Sequence, residues 1–163
     1  MNQDFVKGSH SIMRLEAHLS YKVKFCHKIF DFIEVKNRCE EIFREVAAEM
    51  CIEIKEIGFD RDHTHMDVLY SHKLSICQIN KAFKGKSGRI ILHEFPLLKK
   101  QLFWGSGLWG RQKYGDSVGR DPTIIRNYVK NQGKGRPERS LIEFTYPQSK
   151  RPTQREGAVT GGR

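Results

Sequence analysis

The chain is poor in the features that mark several protein classes. Its four cysteines, Cys26, Cys39, Cys51 and Cys77, form no CxxC pair. That argues against a zinc knuckle and for buried free thiols in a reducing compartment. No apolar run reaches the roughly 20 residues of a membrane span. The opening MNQDFVKGSHS has no apolar signal-peptide core, so a cytoplasmic location is expected. HExxH, the zinc-protease helix pattern, does not occur. Acidic residues are outnumbered: nineteen Asp plus Glu face twenty-nine Lys plus Arg, a net charge of +10. Polyanions are therefore the favoured partners.

At 163 residues the chain suits one domain with a sizeable core. RLEAHLSYKVKF at 14–25 alternates, with Leu15, Ala17, Leu19, Tyr21, Val23 and Phe25 on one side, which predicts a half-buried strand. Between Val35 and Met50 the period becomes helical, through Val35, Cys39, Ile42, Phe43, Val46 and Met50. CIEIKEIG at 51–58 returns to a strand pattern whose second half has no clear register. DRD at 60–62 makes a turn, and His63 to Tyr70 supplies the next strand. A short helix over 75–84, a basic joint KGKSGR at 84–89 and a second helical piece IILHEF follow. The glycine- and aromatic-rich FWGSGLWGRQKYGDSVG at 103–119 predicts tight turns and short strands.

Asp121 and Pro122 can start a last helix, about 121–133, which Gly133 stops. LIEFTY suits a short edge strand, and 147–163 reads as a polar, disordered tail after a domain spanning 1–146. This order predicts an α+β fold, a ferredoxin-like or RRM-like sandwich whose antiparallel sheet carries helices on one face.

The strand HTHMDV poses the chemical question. Residues i and i+2 of a strand point the same way, roughly 6.7 Å apart. His63 and His65 therefore project together, with Asp67 next in line, while Thr64, Met66, Val68 and Tyr70 face a core. Two such imidazoles can converge on one divalent ion, or they can be ordinary polar residues on a wet sheet face. A third ligand has to come from another element. On the 121–133 helix, Tyr128 and Gln132 are i and i+4 and share a face, roughly 6 Å apart along the axis. Gln132 can offer a neutral oxygen to a metal, and Tyr128 a phenol. Either could equally be a surface or rim residue.

The motifs DHTHMDVL at 62–69, FKGKSGRIILHEFP at 83–96, LWGRQKYGDSVG at 108–119 and IIRNYVKNQGK at 124–134 resemble, in order and spacing, the small single-tyrosine HUH transposases of TnpA type. That family moves hairpin-ended insertion sequences as single-stranded DNA, and the resemblance covers roughly residues 12 to 134. It implies that His63, His65 and Gln132 are metal ligands and that Tyr128 is the nucleophile. It also implies Mg²⁺, with Mn²⁺ as substitute, and a homodimer whose tyrosine helix can complete the partner's active site. The implied partner is single-stranded DNA with a hairpin at the transposon ends, cleaved through a 5′-phosphotyrosine.

Asp62 matches the acidic residue before the first histidine and is assigned no chemistry. The family's middle residue is usually bulky and hydrophobic. Thr64 departs from that, and its hydroxyl would need a partner in the core.

Other residues carry weaker expectations. Tyr114 rivals Tyr128 but lacks a ligand one helical turn away. His18 and His72 read best as exposed histidines. Lys84, Lys86 and Arg89 surround small residues and are candidates for DNA phosphates, or form a solvated joint. Trp104 and Trp109 could stack on bases or fill an interface. The alternatives are a HUH nickase of replication or relaxase type, and a non-catalytic RRM-like nucleic-acid-binding module. The second leaves the histidine strand and the YxxxQ helix unexplained.

Overall fold

The computed structural model describes residues 6–7, 12–13, 15–117 and 141, with the backbone alone for 6–7, 12–13 and 112–117. The 121–133 helix with Tyr128 and Gln132, and the 147–163 tail, lie outside the described residues.

Two short strands, β1 (Val6–Lys7) and β2 (Ile12–Met13), pair antiparallel. The main elements follow as β3 (Leu15–Val23), α1 (Ile33–Glu49), β4 (Glu53–Phe59), β5 (His63–Tyr70), α2 (Ile76–Glu94), α3 (Pro96–Leu102) and β6 (Trp109–Ser117). The four long strands form one antiparallel sheet in the order β4-β5-β3-β6. This is the split β-α-β pattern of a ferredoxin-like sandwich, as the element order predicts.

Alternation makes β3 what it is. Ala17, Leu19, Tyr21 and Val23 are buried and Leu15 partly so. They meet Ile42, Phe43 and Val46 of α1 and Ile79, Phe83 and Ile91 of α2 in one core. Burying these side chains is the main favourable term in the fold. Tyr21 donates from its hydroxyl to Asn80 Oδ1 at 2.8 Å, which gives the buried phenol a partner in the core. Phe25, in phase with the inward residues, breaks the expectation. The strand ends at Val23 and Phe25 turns outward, 64% exposed.

Several other expectations need correcting. KGKSGR is no joint, because α2 runs unbroken from Ile76 to Glu94. It opens with a capping box, Ser75 accepting from the Gln78 amide and Gln78 returning to Ser75. Gly88 lies inside the helix because Trp109 lies against it: a Cβ there would approach Trp109 Cδ1 to 3.3 Å. The unclear register of 51–58 is a β-bulge between Ile54 and Glu56, opposite Val68 and Asp67. Only Cys39 is a buried thiol, while Cys26, Cys51 and Cys77 are exposed. Leu141 is helical and packs against the core, and the rest of LIEFTY, 142–146, lies outside the described residues.

Candidate metal centre on the histidine face of the sheet

β5 is a central strand, paired with β3 on one side and β4 on the other. Its pleat sends Thr64, Met66 and Val68 into the core, each 0% exposed, and leaves His63 and His65 half-buried on the opposite face. The histidines project together as the alternation predicts, their ring centroids 5.0 Å apart and nearly perpendicular. Asp67, next in line, is buried, as is Leu69 beyond it, so the pair borders a covered part of this face. Thr64 donates its hydroxyl to the Gly58 carbonyl at 3.0 Å, which supplies the core partner that position needs.

Each imidazole is fixed through Nδ1. His63 Nδ1 lies 2.6 Å from Asp62 Oδ1, and Lys22 Nζ stands 3.9 Å from the other oxygen of that carboxylate. His65 Nδ1 lies 3.0 Å from His18 Nε2, and the two rings stack at 5.1 Å. A ring nitrogen occupied in this way leaves Nε2 as the one to ligate, and outer partners of this kind orient metal-bound histidines. Burial first, and then repulsion from His18 and His63, lowers the His65 pKa to about 4, with Asp60 opposing. His65 is thus a neutral imidazole at physiological pH, the form that binds metal. Two neighbouring imidazoles, each held by its Nδ1, fit a divalent ion as part of its shell. Among the described residues no three His, Cys, Asp or Glu groups form a metal-holding set. An ion held by this pair would take its third ligand from another part of the chain or another kind of side chain; Gln132, which the resemblance puts forward, lies outside the described residues.

His18 is not the exposed histidine that the sequence suggests: it is half-buried against His65, and Asp62, to which the sequence assigns no chemistry, holds His63, so both belong to this site. The sign for His18 was its place on the outward side of the 14–25 strand. Its meaning depends on register, since β3 pairs with β5 so that His18 faces Asp67 and Ser20 faces His65. His72 is exposed in a turn and stays apart.

Lys84, Lys86 and Arg89 do not join the histidines. They sit on α2, in the helical layer that covers the other face of the sheet. Lys84 Nζ donates to the Gly110 carbonyl at 2.6 Å, and Lys86 Nζ to Glu49 at 2.5 Å. Trp109 is partly buried, stacked on Phe43 at 5.9 Å and donating from Nε1 to Ser87 Oγ. It is a packing residue. Trp104, by contrast, is 88% exposed. For Tyr114 the structure gives backbone only, opposite Ser20.

Fold and site together define a class: a ferredoxin-like sandwich with an oriented histidine pair on a central strand. The chain belongs to the IS200-like transposase family, whose model matches residues 11–132. It is 33% identical over 103 residues to the ISDra2 transposase TnpA of Deinococcus radiodurans, covering 63% of this chain and 72% of that protein. It is 25% identical over 141 residues to the transposase for insertion sequence element IS200 of Salmonella typhimurium, covering 86% and 91%. The crystal structure of a putative transposase from Deinococcus radiodurans matches with a TM-score of 0.65 at 29% identity, over 78% of this chain and 97% of that one. A REP-associated tyrosine transposase bound to a REP hairpin shares the fold, with a TM-score of 0.51 at 9% identity, over 76% and 68%. No helix among the described residues is long and apolar enough to cross a membrane.

Proposed function

We propose that this transposase is a metal-dependent enzyme that cleaves and rejoins single-stranded DNA at hairpin-bearing transposon ends through a 5′-phosphotyrosine. The observation that carries the reading is the pair His63 and His65, neighbouring and each held by Nδ1. A wet-sheet histidine pair has no need of two orienting partners.

His63, His65 and Gln132 would hold a divalent ion, Mg²⁺ with Mn²⁺ as substitute. The ion would supply Lewis-acid stabilisation of charge at the scissile phosphate. The Tyr128 oxygen attacks phosphorus, the bond from phosphorus to the 3′ oxygen breaks, and the phenolic proton leaves the tyrosine as the 3′-hydroxyl gains one. A 3′-hydroxyl from another end reverses the step and joins new partners without ATP. A free phenol has a pKa of about 10, so Tyr128 depends on its surroundings for reactivity at neutral pH. The active form would be a homodimer in which one protomer's tyrosine helix meets its partner's histidines. Lys84, Lys86 and Arg89 would meet phosphates only at a distance from the chemistry, and Lys84 and Lys86 would exchange their present partners to do so.

The test is incubation of labelled hairpin-ended single-stranded DNA with the protein and Mg²⁺ or Mn²⁺, followed by a denaturing gel. A covalent adduct mapping to Tyr128 is expected, and Tyr128→Phe abolishes it while retaining hairpin binding. An undiminished adduct in Tyr128→Phe would falsify the assignment.

A further inference from the structure

The turn after β3 holds an aromatic ring where the sequence pattern does not want it. Phe25 continues the inward series Leu19, Tyr21, Val23, yet it is turned out of the core and 64% exposed. Its φ is 60°, and that of Cys26 is 55°, so two successive non-glycine residues occupy the left-handed region. That conformation is costly for residues with a Cβ. Residues held in this way persist when their surroundings over-determine them, and they cluster at functional positions.

The surroundings do so here. The Val23 amide donates to the Asp62 carbonyl and the Lys24 amide to the Leu108 carbonyl, each at 2.8 Å. The ring is also flanked by chosen neighbours. Lys24 Nζ lies 5.1 Å from its centroid, and the His27 ring meets it edge-on at 5.7 Å. His27 in turn rests edge-on against buried Phe103 at 5.2 Å. Beside the ring, a depression of about 460 Å³ is lined by Cys26, His27, Lys28, Asp31, Phe32, Arg61 and Leu102. Its one carboxylate, Asp31, is matched by Arg61 at 2.9 Å, so Lys24 and exposed Lys28 leave the patch cationic.

Position adds the last element. Lys22 lies opposite His63 across the strands, and Arg61 directly precedes Asp62. The Phe25 turn is therefore the rim of the sheet next to the histidine pair. An exposed ring among cations, a few residues from a candidate phosphodiester site, matches the way proteins hold unpaired nucleotides: bases stack on aromatics and phosphates meet Lys and Arg.

We infer that Phe25 is a stacking platform for an unpaired base of the DNA strand that passes the histidine pair, with Lys24 and Lys28 as phosphate contacts. This rests on the reading of the protein as one that acts on single-stranded DNA. It adds a place where that strand is gripped apart from the reacting phosphate.

The probe is a short single strand carrying 2-aminopurine, whose fluorescence falls when the base stacks, titrated against the full chain. Wild type is expected to quench it, and duplex of the same sequence to compete poorly. Phe25→Ala should weaken binding roughly 5- to 150-fold, the usual range for one stacked base, and remove the quench, while Phe25→Trp keeps both. Phe25→Gly separates binding from folding, because glycine relieves the positive φ. That variant should melt no lower than wild type and still bind weakly.

Unchanged affinity in Phe25→Ala overturns the inference, as does a dimer that falls to monomer in that variant, which would show the ring meeting a second copy. The adduct assay reads separately. An adduct from wild type with Phe25→Ala binding normally removes the platform alone. Lost stacking in Phe25→Ala with no adduct from wild type removes the proposed chemistry alone.

Discussion

Histidine 65 receives at its Nδ1 a contact from a residue 47 positions earlier in the chain. A contact reaching that far, between strands whose pairing is fixed by the whole sheet, sets the ring's orientation independently of its own strand. His63 is set locally, by the adjacent Asp62. Loss of an orienting partner typically costs 10- to 100-fold in metal affinity. His18→Ala and Asp62→Ala should therefore each weaken Mn²⁺ binding by roughly that factor. Titration calorimetry or the spectrum of free Mn²⁺ reads this without any DNA, and equal affinity in His18→Ala would make the stacked pair a packing contact.

Thr64 can be judged at the same scale. Its departure from the bulky apolar residue usual in the family is met by a hydrogen bond to Gly58, not by an orphaned hydroxyl. Thr64→Val should cost about 1 kcal/mol in a urea melt, the net worth of one such bond. It should leave Mn²⁺ affinity within twofold. Threonine at this position is thus compatible with a working histidine pair.

At the scale of elements, α2 shows what the residue pattern could and could not disclose. Two glycines in KGKSGR read as a break, since each costs a helix about 1 kcal/mol relative to alanine. They have different reasons for being there. Gly85 is exposed, and a Cβ added to it would meet nothing within 4 Å, whereas Gly88 faces a Trp109 ring held by Ser87 and stacked on Phe43. Gly85→Ala should stabilise by up to about 1 kcal/mol. Gly88→Ala should destabilise, because the ring that would have to yield is fixed on two sides. Thermal melts of the two variants moving in opposite directions would confirm the distinction, and shifts of the same sign would refute it.

Strand β3, helix α1 and strand β5 were legible because each has a clean period of its own. The continuity of α2 through KGKSGR, the bulge at Ile54 and Glu56, and the outward turn of Phe25 were not. Each is decided by a neighbour distant in sequence. The candidate site divides in the same way: His63 and His65 follow from alternation alone, whereas the place of His18 follows only from the register of β3 on β5.

For the whole molecule, a metal held as proposed would couple its binding to folding, because the unfolded chain does not hold His63 and His65 in place. A ligand at 100 times its Kd stabilises the native state by about 2.7 kcal/mol. Saturating Mn²⁺ should raise Tm by several degrees, a chelator should return it, and His63→Ala should abolish the response. A shift that persists in His63→Ala would locate the ion elsewhere. The net charge of +10 works at this scale too, drawing polyanions from a distance in a manner that salt screens.

The strand order has a further consequence, for synthesis. β3 is made first of the four long strands, but its two neighbours come much later: Ser20 pairs with His65 on one side and with Tyr114 on the other. On the ribosome, β3 and β5 can join and bring His18 to His65 while β6 is still unmade. Until Trp109 and its successors emerge, β3 presents an open hydrogen-bonding edge, the kind on which nascent chains aggregate. A message cut short before that strand would yield a chain able to pair β3 with β5 but left with an adhesive flank, a substrate for chaperones and proteases.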